Sequence, residues 1–241
     1  MRTNIGTMLV ACAIAAAPVT AAAQSESAIV AWIGLITTPL GAFTPYAPPT
    51  AAAPPGTSVG VQARYSHWQF DADDDNTMNV GAGLVIRRGP VRTAIELGRT
   101  SVKGCGDCDH LMAGVDVHVG LLDRPLGGPV AMSVAINPAL GFSRPGSSDD
   151  EFTALAGALS VPVSLSVRAG NALRVVPFVS PGFGFARLSG GGESSTGSRA
   201  MLSGGLALAG TSTPVQLTAS ARRIFVEGTP TIVGVGIAVG R

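Results

Sequence analysis

The sequence predicts an all-β chain folded as an antiparallel, up-and-down transmembrane β-barrel of about eight to ten strands. Three observations carry this. In the stretch Thr231 to Arg241, Val233, Val235, Ile237 and Val239 alternate with glycine and alanine. A side-chain period of two belongs to a strand, here with one greasy and one nearly bare face. The same rhythm returns in runs of about ten residues, the length a tilted strand needs to cross a bilayer. Finally, hydrophobic residues make up 46% and mean hydropathy is +0.39, yet charged residues are only 13%. That is about half the share usual in a soluble domain, and a β-protein in water must coat its outside with polar groups. Collagen and disorder are poor explanations of the 32 glycines, because there is no triplet repeat and aliphatic content is high. A net charge of +1 predicts no nucleic-acid partner.

The elements follow in order. Residues 1–23 read as a secretory signal peptide, with Arg2 at the start, an apolar stretch from Ile5 to Val19, and Ala21-Ala22-Ala23 before Gln24. An anchoring helix fits less well, since small residues dominate and one charge precedes them. Leu9-Val10-Ala11-Cys12 resembles a lipoprotein cleavage box, but the apolar stretch before Cys12 is short and continues beyond it. Residues 24–57 are broken by Pro39, Pro45, Pro48, Pro49, Pro54 and Pro55. They read as a periplasmic lead-in that could fold partly against or into the barrel, with Ile29 to Thr38 as a candidate strand.

From residue 58 the alternation is regular. Val59, Val61, Ala63 and Tyr65 oppose Gly60, Gln62, Arg64 and Ser66; Met78 to Ile86 and Val91 to Leu97 repeat the pattern. Leu111 to Leu121 and Leu155 to Val167 follow, with further runs near 130–143, 173–187, 199–210, 215–226 and 230–241. Pro138, Pro162, Pro177 and Pro181 fall inside runs, where a missing ladder donor implies bulges or strand ends. Connections alternate in length. Arg88-Gly89-Pro90, 168–172 and 211–214 are short; 71–76, 104–110, 143–151 and 189–198 are longer and polar, with 123–128 intermediate. Short periplasmic turns and longer outer loops are expected of such barrels.

The second face decides what is outside. It is mostly Gly, Ala and Ser with isolated charges, which suits a narrow barrel interior better than a wetted surface. Arg64, Arg92, Glu96, Asp116, His118, Arg174 and Arg222 are therefore expected to form an interior polar network. A lone charge there would cost several kcal/mol, so Glu96 and Asp116 should each meet arginines.

Signal peptide, about ten alternating strands and polar outer loops together resemble the small outer-membrane β-barrels of the OmpA or OmpX type, over residues 58–241. The resemblance implies a bacterial outer-membrane location, contact with its lipids and with the barrel-assembly machinery, and a monomer. Two departures stand out: the end is Val239-Gly240-Arg241 rather than an aromatic residue, and aromatics total only 5%.

Cys105-Gly106-Asp107-Cys108-Asp109-His110, in an expected outer loop, reads foremost as a short disulfide between Cys105 and Cys108. Zinc held with His110 would need a fourth ligand from another loop. The acidic runs at 71–75 and 147–151 lack calcium-loop spacing and read as solvated tips. His67 beside Asp71 with nearby serines raises the alternative of an outer-membrane lipid-modifying enzyme, but the grouping is too common to indicate catalysis, and Gly190-Gly191-Gly192 lacks the Lys-Ser/Thr of a phosphate loop. The expectation is a structural or surface-interacting barrel without turnover or cofactor. A narrow passive channel and a soluble exported barrel for a hydrophobic ligand are the alternatives.

Overall fold

A computed structural model describes residues 33–36, 38–39, 57–69, 76–102, 109–145, 153–190, 192–226 and 231–240. Eleven strands form one sheet: β1 (Thr57–Gln69), β2 (Asn76–Arg88), β3 (Val91–Val102), β4 (Asp109–Gly127), β5 (Val130–Pro145), β6 (Thr153–Ser160), β7 (Val163–Ala169), β8 (Leu173–Gly190), β9 (Glu193–Gly210), β10 (Val215–Ile224) and β11 (Ile232–Gly240). Every pairing is antiparallel, β1 pairs with β11, and β4 with β5, so the sheet closes on itself. β6 and β7 share one stave between β5 and β8, which gives a ten-stave barrel. Pro162 interrupts that stave, as a residue without a ladder donor should. Its own carbonyl still accepts from Ala135 N at 3.0 Å.

The side-chain alternation runs inside-out, as the sequence predicts. Val61, Leu97, Leu155, Val233 and Val235 lie on the outer surface, Leu97 with 67% of its area exposed. Gln62, Ser66, Asn79, Ser164 and Ser203 point inward and are buried. Apolar residues outside and polar ones within require hydrocarbon as the solvent. Described aromatics on the outer face (Tyr65, Phe142, Phe183, Phe185, Phe225) all lie in the outer halves of their strands or just beyond, so they form one belt rather than two. The Trp68 side chain, Phe70 and Phe152 lie outside the described residues.

Three expectations change. The described part of Ile29 to Thr38 is not a strand but a helical turn over 33–36. In a closed barrel both edges of every stave are taken, so a segment inside the lumen has no ladder to join and must satisfy its own backbone. Thr38 does so, its N and Oγ1 donating to Leu35 O at 3.4 and 3.0 Å. The connection at 189–198 is tight, because β8 and β9 pair as far as Gly190 with Glu193 and Gly192 turns the chain at φ +84°. The serines there belong to a hairpin, not a loop. The connection at 123–128 is tight too: β4 and β5 pair down to Gly127 with Val130, and the turn uses Gly127 and Gly128 at φ +120° and +56°. Register shifts at Gly120/Leu122 and Pro125/Gly127 mark where this hairpin projects past the barrel.

Candidate functional site

The lumen is the only described region where buried polar and ionisable side chains converge, and its two walls differ. β1 to β4 form the polar wall. Arg64 Nε meets Glu96 Oε1 at 2.8 Å, and Gln62 Nε2 donates to the same oxygen. Gln62 Oε1 in turn accepts from Arg92 Nη2 at 2.6 Å, and Arg92 Nη1 reaches Asp116 Oδ1 at 3.3 Å. The chain Arg64–Glu96–Gln62–Arg92–Asp116 thus crosses three neighbouring staves and β4. Each member is placed by the period of two: Gln62 and Arg64 follow one another on one face of β1, and Arg92 and Glu96 share one face of β3 with Ala94 between them. Towards the outer end, Thr100 Oγ1 donates to Asn79 Oδ1 at 2.7 Å, and Asn79 Nδ2 donates to Ser66 Oγ at 3.0 Å.

Beside the plug, the opposite wall is apolar, while Ser180, Ser203, Ser220 and Arg222 also face inward on β8 to β10. Inward-facing Ala156, Ala186, Met201, Ile224 and Ile232, from β6, β8, β9, β10 and β11, pack with Leu35 and Ile36 of the helical turn. Leu35 and Thr38 have no exposed area. Close approach is possible because the wall is nearly bare: a Cβ at Gly184 would meet Leu35 Cδ2 at 2.7 Å, and one at Gly34 would meet the Ala186 Cβ at 2.4 Å. Pro39 lies across the lumen against β4, where a Cβ at Gly114 would meet its Cγ at 3.1 Å. A second inward cluster of Val176, Phe178 and Ala207 lies nearer the periplasmic ends of β8 and β9. Plug, ion-pair network and Phe178 cluster follow one another along the lumen.

Of the residues singled out from sequence, Arg64, Arg92, Glu96 and Asp116 meet in the network. His118 is buried and is the register partner of Arg92. Arg222 lies inward on β10, where Nε donates to Ser203 Oγ at 2.8 Å. Arg174 stands apart. It is half-buried near the periplasmic end of β8, where its charge acts on Asp123, and it is not among the residues that act on Glu96. Its place only one residue after the turn keeps it from the centre. Cys105 and Cys108 lie outside the described residues. His67 falls on the outward face of β1 with Ala63 and Tyr65, turned away from the lumen. The sequence reading did not anticipate the apolar wall. Its signal was Met201, Ile224 and Ile232, bulky residues at positions where the alternation asks for small or polar ones.

No protein-family model matches the chain, and no curated protein matches it by sequence. Solved structures similar to it in fold include the β domain of the Bordetella autotransporter BrkA, at 12% identity and TM-score 0.46, covering 76% of this chain and 98% of that one. The N-terminal β-barrel domain of Pseudomonas aeruginosa OprF matches at 13% identity and TM-score 0.37, covering 76% and 97%. Ail, the attachment invasion locus protein of Yersinia pestis, matches at 12% identity and TM-score 0.35, covering 77% and 97%. The strand pairing described above is that of the up-and-down barrel expected from the sequence.

Proposed function

We propose that this chain is a bacterial outer-membrane barrel with a closed lumen and a structural or surface-interaction role, without turnover. The observation that carries this reading is the occupied lumen: Leu35 and Ile36 pack against five staves while the Arg64–Glu96 pair ties the polar wall. The helical turn and the inward side chains occupy the lumen among the described residues, and small barrels are ordinarily filled. Export through a cleaved signal, contact with outer-membrane lipids and delivery by the assembly machinery belong to the same reading. Full-length protein in planar bilayers should give no stable conductance steps, and unboiled protein should migrate differently from boiled protein on a denaturing gel. Stable unitary steps from the intact chain would overturn the closed reading.

A gated narrow channel is the second reading, favoured by one observation. The plug touches Gly184 and Ala186, a smooth surface from which a helical turn can part without breaking an ion pair. Removal of residues 33–39 should then create conductance that the intact chain lacks.

A further inference from the structure

Beneath the plug, a cavity of about 40 Å³ is lined by Pro39, Arg64, Glu96, Asp116, Asn137 and Arg222, together with other residues of β4 to β9. A space of this size exceeds the roughly 10–15 Å³ that one water requires. The groups around it do not balance. Its lining holds Arg64 and Arg222 with Glu96 and Asp116, and Arg92, paired with Asp116 from behind that lining, brings the described residues here to three positive charges against two. Both carboxylates are engaged, Glu96 by Arg64 and Gln62, Asp116 by Arg92. Protonation of His118 would only enlarge the excess. Arg222 is 7% exposed, and while its Nε is bound by Ser203, its Nη1 is a buried donor without a hydrogen-bond partner.

We infer that the lumen binds a small monovalent anion of halide size against Arg222. A buried guanidinium donor left without a partner is costly, and a halide is compact enough for the cavity. The anion accepts from Nη1, neutralises the excess, and leaves both ion pairs intact. A larger oxyanion such as sulfate would crowd Glu96 and Asp116, which line the same space.

The test uses the full-length chain folded in detergent micelles. Its melting temperature is followed as sodium gluconate is replaced by sodium chloride or bromide at constant ionic strength, alongside the ³⁵Cl line width. A bound halide stabilises only the folded state, so melting should rise by several degrees and saturate. Chloride signals should broaden with folded protein and sharpen when bromide competes. Arg222→Gln should lose both effects. If that variant does not fold, Ser203→Asp places a carboxylate where Arg222 already bonds, and should melt higher with no halide dependence. Equal melting in gluconate and chloride would mean that the cavity holds water alone and would overturn the proposal. So would a halide response that persists in Arg222→Gln or Ser203→Asp.

Discussion

Leu35 occupies the space that a side chain at Gly184 would need, with Cδ2 2.7 Å from the position of a Cβ. The plug therefore depends on a missing side chain in the wall as much as on its own leucine. Leu35→Ala should cost about 2–5 kcal/mol of barrel stability, as other buried leucine truncations do. Gly184→Val should cost about 1–3 kcal/mol through overpacking. Together the two should cost less than their sum, because the valine fills the void left by the leucine. A double-mutant cycle on urea unfolding in liposomes reads that coupling, expected at about 0.5–3 kcal/mol. Strict additivity would mean that Leu35 does not sit against β8.

The ion-pair network makes a prediction of opposite character. Glu96→Gln leaves Arg64 facing a neutral amide in a desolvated wall, which should cost about 3–5 kcal/mol. Replacing both partners, Arg64→Met with Glu96→Met, should be much nearer to neutral, since two charges then escape desolvation together. Equilibrium unfolding of the two variants measures the contrast. Equal losses would show that the pair is wetted rather than buried.

On the outer surface, Phe185 of β8 covers Gly157 of β6, its register partner, with ring atoms 2.3 Å from where a Cβ would stand. An aromatic ring laid over a cross-strand glycine shields its backbone and pins the register. Gly157→Ala should force the ring aside and lower the midpoint of the heat-modifiability transition, by about 1–3 kcal/mol in stability. Phe185→Leu in the same background should restore part of the loss.

Some of this was legible in the sequence and some was not. Parity along each run places Gln62, Arg64, Arg92, Glu96 and Asp116 on one face, and cross-strand spacing then makes their meeting nearly unavoidable. Arg174 has the right parity but the wrong height, and parity says nothing of height. The hairpin at Gly190 to Glu193 looked like a loop because its residues are Gly and Ser. Backbone pairing beyond the bilayer needs no apolar side chains, so composition hides it. The helical turn at 33–36 was obscured for another reason: its bulky partners Met201, Ile224 and Ile232 stand singly on three different strands, and no local period connects them. Cys105 and Cys108 lie outside the described residues, so the loop disulfide stays an expectation from sequence.

The claim that hydrocarbon surrounds the barrel can be tested at Leu97. This side chain lies midway along β3, points outward, and is 67% exposed. Two residues nearer the outer rim, Arg99 faces the same way and is paired with Asp109, where water and headgroups can solvate both. Leu97→Arg should therefore cost about 2–4 kcal/mol in a bilayer, the penalty of an arginine near the midplane of a barrel's lipid face. Arg99→Leu should cost far less, since exposed pairs contribute about 0–1 kcal/mol. Unfolding from phospholipid vesicles compares the two directly. If Leu97→Arg were neutral or stabilising there, the outer face would be meeting water, and the exposed aliphatic rows of β3 and β11 would need another cover.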